Sequence, residues 1–295
     1  MRDERLPEPP MTPGVEYALG AMLFYGLADL VYKRAAAAGV QARHFLMVQA
    51  WCFAPAIVLY GLGTGTLAGG EAMLWGMGAG LFIFVALYNF ARSLAGGAVS
   101  VNAPVFRLSF AITAALAVLL LAEPLTAWKL AGLAAALAAV WLLLGAREPG
   151  EAPARRASGS SLARVLIATI AMAIVNLFYK LGTLAGGSPA TVLAGQASVF
   201  ITLATGFSWA RDRGMRPPRA AWAHAPAAAV LLLFATVMLL AGLARGEASV
   251  LVPIAQMSFV VTAALGLAFL REPLTARKAA GLAFAVGALA FLAKS

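Results

Sequence analysis

The chain has 295 residues, 62% of them hydrophobic and 12% charged, with a mean hydropathy of +0.87. A soluble domain is nearer half apolar, so this composition commits most of the chain to lipid and leaves no length for a soluble domain. The formal charge of +10 lies mainly in the connections between apolar segments, where Lys and Arg set membrane orientation, and it does not point to nucleic acid.

In chain order, residues 1–16 are charged and Pro-rich. They lack the apolar region of a signal peptide and are expected as a disordered tail. A spanning helix needs about 20 mostly apolar residues. Ten such segments follow, at 17–37, 43–62, 73–93, 99–121, 126–145, 162–183, 190–209, 222–243, 249–270 and 276–293. Their apolar runs are too long for strands and show no two-residue alternation. They are rich in Ala, Leu and Gly, which suits close helix packing in lipid. The expected fold is an all-α polytopic membrane protein with ten transmembrane helices. Residues 146–161, rich in Pro, Gly, Ser and charge, read as a linker between a first unit at 17–145 and a second at 162–295.

The two units repeat each other. At an offset of 149, Gly97, Ser100, Pro104, Ser109, Thr113, Glu123, Pro124, Leu125, Thr126, Lys129 and Gly132 recur as Gly246, Ser249, Pro253, Ser258, Thr262, Glu272, Pro273, Leu274, Thr275, Lys278 and Gly281. At an offset of 147, Tyr32, Lys33 and Gln49 recur as Tyr179, Lys180 and Gln196, and Asp29 stands opposite Asn176. Each unit holds five helices. An odd number in tandem inserts the second copy upside down, giving inverted repeats with a substrate site near the bilayer midplane between them. The side count leaves out Arg107 and Lys180 of the 22 Lys and Arg residues. Five (Arg2, Arg5, Lys129, Arg245 and Lys294) share the side of the termini, and the other fifteen lie opposite. The positive-inside rule then places both termini outside.

Polar groups inside a bilayer are costly and mark candidate sites. On helix 4, Asn102, Phe106, Ser109 and Thr113 share a face, with Ser258 and Thr262 matching the last two on helix 9. Arg107, matched by Gln256, lies eight residues into helix 4 and suits a substrate carboxylate or an internal ion pair. Tyr88 and Asn89 on helix 3 can line a cavity, and their apolar counterparts Val237 and Met238 make that cavity asymmetric. Asn176 completes the candidate substrate-binding set of Tyr88, Asn89, Asn102, Phe106, Arg107, Ser109, Asn176, Gln256 and Ser258. Pro104 and Pro253 each free a carbonyl one turn earlier and are candidate kink and gating positions. Asp29, the acid well inside a span, can pair with Lys33 or carry a proton; with Lys33 and Lys180 it forms the possible coupling set. The EPLT pairs read as hairpins, in which Pro124 and Pro273 stop one helix and Thr126 and Thr275 cap the next.

Nucleotide-loop, zinc-protease and serine-hydrolase motifs are absent, and Cys52 is the single cysteine. No cofactor, metal or catalytic residue is expected, and the chain does not read as an enzyme. The alternatives are a membrane-embedded enzyme acting on lipid-linked substrates and a non-catalytic assembly subunit.

Two five-helix units, each opening with a Tyr-Lys helix and closing with the EPLT-x-x-K-x-x-G hairpin, resemble the EamA family of the drug/metabolite transporter superfamily. The length and layout resemble its amino-acid exporter branch. The resemblance implies a multi-pass inner-membrane exporter of small metabolites, with amino acids favoured over other metabolites or drugs. It also implies a cavity framed by helices 1, 3, 4, 6, 8 and 9, with 5 and 10 peripheral. The expected partners are the small-molecule substrate and the lipid bilayer, and a monomer suffices. The small multidrug exporters of the superfamily carry a glutamate in helix 1, whereas residues 18–28 here contain no acid. That departure favours a neutral or zwitterionic substrate.

Overall fold

The computed structural model describes residues 12–96, 102, 105–144, 159–212, 216–269 and 275–295. These form α1 (Val15–Ala37), α2 (Ala42–Gly63), α3 (Glu71–Gly96), α4 (Ser109–Leu121), α5 (Ala127–Leu144), α6 (Gly159–Leu184), α7 (Pro189–Asp212), α8 (Arg219–Leu243), α9 (Ala248–Gln256), α10 (Ser258–Phe269) and α11 (Ala276–Ala293). The described residues contain no strand. Among the described residues, eight helical segments are long and apolar enough to cross a membrane, α9 and α10 counting as one, and two shorter apolar helices span Val105–Leu121 and Ala127–Leu143. Large side chains such as Leu59, Leu74, Leu119, Val230 and Val286 face outward. An apolar exterior of this extent suits lipid rather than water.

Two boundaries differ from the sequence expectation. Helix α1 begins at Val15, and Thr12 ahead of it is buried, with its backbone N–H donating to Ala293 O at 3.0 Å. The last residues of the expected tail therefore pack against the C-terminus; residues 1–11 lie outside the described set. The expected linker also lies outside it up to residue 158, and its last three residues open α6, where Ser161 is buried and hydrogen-bonded.

The halves interlock. Helix α3 packs on α6 and α7 of the second half, and its counterpart α8 packs on α1 and α2 of the first. Likewise α1 lies on α10, and α6 on α4. Helices α5 and α11 pack mainly on each other, at the periphery. A Cβ on Gly132 would come within 2.6 Å of Leu292 Cγ, and one on the repeat-equivalent Gly281 within 2.6 Å of Leu143 Cγ. Leu143 and Leu292 are themselves equivalent at the same offset of 149. Reciprocal contacts of this kind are what a two-fold arrangement generates.

Backbones approach closely where side chains are smallest. A Cβ on Gly76 of α3 would stand 2.0 Å from Val192 O of α7, and one on Gly195 of α7 would stand 2.2 Å from Met73 O of α3. Small residues are the usual means of such contact in lipid.

Within each half, the first helix is tied to the second by the same side-chain pair. The Tyr32 hydroxyl donates to Gln49 Oε1, and the Tyr179 hydroxyl donates to Gln196 Oε1. The repeated Tyr and Gln positions are thus scaffold bonds.

Candidate functional site

The fourth apolar helical segment described in each half is discontinuous at the same place. In the second half α9 stays helical through Pro253 and gives way at Met257, before α10 starts at Ser258. In the first half the helical turn at Val105–Arg107 gives way at Leu108, before α4 starts at Ser109. The tightened bonding is identical: Leu108 N donates to Val105 O and Ala111 N to Leu108 O, as Met257 N does to Ile254 O and Val260 N to Met257 O. Pro253 leaves the carbonyl of Ser249 without its helical donor, yet the interruption falls one turn further on. Pro104 lies outside the described residues. Discontinuous helices at a repeat interface are a common way to present polar groups at the midplane of a transporter.

Four of the candidate residues meet at these breaks. Arg107 precedes the first break, Gln256 precedes the second and Ser258 follows it. Arg107 Nη2 donates to Asp29 Oδ2 at 2.8 Å, Arg107 Nη1 to Gln256 Oε1 at 3.4 Å, and Ser258 Oγ to Asp29 Oδ2 at 3.0 Å. Arg107 and Gln256 are the same position in the two halves, so their contact puts the approximate two-fold axis between them. The Asp29 and Arg107 side chains remain 33% and 21% exposed, so the pair is not sealed in the packed interior.

The equivalent constellation on the other half is closed. Asn176, the counterpart of Asp29, is 2% exposed and donates from Nδ2 to Thr113 Oγ1 at 3.3 Å. Ser109, the counterpart of Ser258, is buried with no partner for its hydroxyl among the described residues. The two halves thus carry one charged, partly open site and one neutral, buried copy of it.

The remaining candidates lie elsewhere. Asn102 is fully buried and donates to Ser93 O at 2.8 Å and to Ser161 Oγ at 3.0 Å, tying the end of α3 to the start of α6. Phe106 stacks on Phe90 with centroids 4.3 Å apart. Asn89 returns its amide to Val85 O at 2.9 Å within α3. Tyr88 packs edge-on against Phe207 at 4.9 Å, beside a shallow recess that also involves Arg43, Leu46 and Ala204. At that end, Arg43 of α2 grips Asp212 of α7 with two bonds of 2.8 and 2.9 Å, and His44 Nε2 lies 2.8 Å from the same carboxylate.

The end bearing the termini is locked by a network that the sequence reading did not foresee. Glu123 of the first EPLT motif accepts the backbone N–H groups of Ala248 and Ser249, both at 2.8 Å, and so caps α9 of the other half. Lys129, 1% exposed, donates to Pro124 O at 2.6 Å and pairs with Glu247. Lys180 donates to Leu243 O and Gly246 O at 2.8 and 2.7 Å, covering the carboxyl end of α8. The hairpin caps are as the motif suggests: the Thr126 and Thr275 hydroxyls accept from Lys129 N and Lys278 N, each at 3.2 Å. Glu272 and Pro273 lie outside the described residues. The clue available in the sequence was that Glu123 recurs as Glu272 at the same place in the second hairpin.

Comparison with curated proteins finds no match. A solved crystal structure matches the whole fold with a TM-score of 0.78 at 17% identity, over 94% of this chain and 95% of the other; at that identity the likeness concerns the fold alone. The profile of the EamA-like transporter family matches residues 12–145 and again 159–294. With nearly the whole chain covered by two copies, this multi-pass membrane protein belongs to the EamA-like transporter family.

Proposed function

We propose that the protein is a secondary transporter exporting small metabolites, amino acids foremost, across the inner membrane by alternating access. The observation that carries this reading is the contact of Arg107 with Gln256 beside Asp29 and Ser258. It sets the charged groups on the approximate two-fold axis, where two discontinuous helices meet and where a solute is reached from either side in turn.

In this reading ten helical segments cross the bilayer as two inverted five-helix repeats, with the termini outside. The Glu123, Lys129, Glu247 and Lys180 network closes the terminal end, and the Arg43–Asp212 pair bridges α2 and α7 at the other. Each half adopts in turn the packing now held by its partner, so one end opens as the other closes. Asp29 and Arg107 engage the solute. Lys33 and Lys180, one turn beyond Asp29 and Asn176, serve the ends of the pathway. A monomer contains the complete route.

Counterflow in proteoliposomes tests the proposal. Vesicles of purified protein preloaded with a single unlabelled amino acid are expected to accumulate that amino acid in labelled form, and empty vesicles are not. Accumulation of sugars or nucleotide derivatives with no response to any amino acid overturns the substrate assignment.

A further inference from the structure

We infer that the Asp29–Arg107 pair is a stand-in for the solute, and that the site selects molecules carrying an ammonium and a carboxylate together. The inference rests on the transporter reading above and specifies the chemistry of the same site.

The argument begins from what each class of solute leaves behind. The pair is a neutral unit: one carboxylate, one guanidinium, 2.8 Å apart and partly exposed. Each member has a second contact from the other half of the molecule. Ser258 Oγ donates to the carboxylate at 3.0 Å, and Gln256 Oε1 accepts from the guanidinium at 3.4 Å. When the pair opens, these contacts keep both charges facing the gap.

A simple anion that takes Arg107 leaves Asp29 with its charge uncompensated, and a simple cation that takes Asp29 leaves Arg107 in the same condition. Both side chains are more covered than exposed, and leaving one member of such a pair without a counter-charge costs more than exchanging the pair. An uncharged polar solute offers nothing to replace either charge. A zwitterion replaces both at once: its ammonium meets the Asp29 carboxylate, and its carboxylate meets the planar fork of Arg107, which suits two parallel hydrogen bonds. Net charge at the site is unchanged before and after binding. Pocket residues that would be left unpaired by the wrong ligand are a strong source of discrimination.

A matched panel tests this: phenylalanine, phenethylamine, which lacks the carboxylate, and 3-phenylpropanoate, which lacks the ammonium. Counterflow by the wild type is expected to favour phenylalanine over either analogue by at least about tenfold, one hydrogen-bonded charge pair being involved. Asp29→Asn is expected to lower phenylalanine flux and to shift the ratio towards 3-phenylpropanoate. Arg107→Gln is expected to shift it towards phenethylamine. The exchange Asp29→Arg with Arg107→Asp restores a neutral pair, keeps the preference for the zwitterion, and serves if a single variant fails to fold.

Equal wild-type flux of all three compounds overturns the inference while leaving amino-acid transport intact. So do folded single variants that lose all three fluxes in the same proportion. Wild-type protein that moves none of the three, nor any amino acid, overturns the substrate reading beneath it, so the two failures are distinguishable.

Discussion

At the scale of single residues, repetition in the sequence separates scaffold from site. Tyr179 and Gln196 repeat Tyr32 and Gln49, and both pairs form the same hydrogen bond between first and second helices. Removing the hydroxyl with Tyr179→Phe leaves Gln196 Oε1 without its donor in a buried place. Interhelical hydrogen bonds in membranes average below 1 kcal/mol, so a loss of about 1 kcal/mol in stability is expected. Tyr32→Phe is expected to move in the same direction by a similar amount, and thermal unfolding in detergent measures both. These positions were visible beforehand as matched residues, although their bonding was not. The Asp29–Arg107 pair was harder to see. Asp29 stood out as the acid well inside a span and Arg107 as a cation deep in another, but 78 residues separate them. Helical periodicity reports neighbours three or four apart, and so it offered Lys33 as the partner of Asp29.

At the scale of elements, eight spans among the described residues were legible because length and apolarity decide what can cross lipid. Helix ends were legible where a local motif caps them, as at Thr126 and Thr275. The break at Met257 was not, since Pro253 drew attention one turn too early. The capping of α9 was also hidden, because its donor lies in the other half. The N-cap residue Glu247 makes no side-chain cap bond to its own helix and turns instead to Lys129. The first N–H groups of α9 are satisfied by Glu123, a buried carboxylate at the positive end of the helix. Both bonds and the dipole favour a charge there. Glu123→Ala removes two charge-assisted bonds and is expected to cost about 3 kcal/mol. Glu123→Gln keeps one acceptor oxygen and is expected to cost less. In the proposed mechanism the same bonds close the terminal end, so labelling of a cysteine introduced at Leu251, in a Cys52→Ser background, is expected to speed up in Glu123→Ala. A melting temperature and labelling rate unchanged by Glu123→Ala would remove Glu123 from the closure.

At the scale of the whole molecule, one approximate two-fold relation organises the packing and exposes where it is broken. The reciprocal contacts of Gly132 with Leu292 and Gly281 with Leu143 obey it, as do the breaks at Leu108 and Met257. The charged site departs from it: Asp29 faces Ser258 on one half, whereas on the other Asn176 turns to Thr113 and the Ser109 hydroxyl has no partner among the described residues. If the relation is geometrically good at the axis, the charge pair can be moved from one half to the other. In a background of Asp29→Asn and Arg107→Gln, adding Asn176→Asp alone buries an unpaired carboxylate at a position only 2% exposed. A stranded buried charge costs about 3–5 kcal/mol. Adding Gln256→Arg as well supplies its guanidinium from the symmetry-related position, and the buried Ser109 hydroxyl becomes a second donor. The expected result is a double-mutant coupling between Asn176→Asp and Gln256→Arg of about 0.5–3 kcal/mol in favour of the pair, the range seen for residues sharing one network. Thermal unfolding of the four combinations measures it. Simple additivity would show that the axis does not bring 176 and 256 together as it brings 29 and 107. A large favourable coupling, with counterflow retained in the relocated variant, would show that either half can carry the charged site.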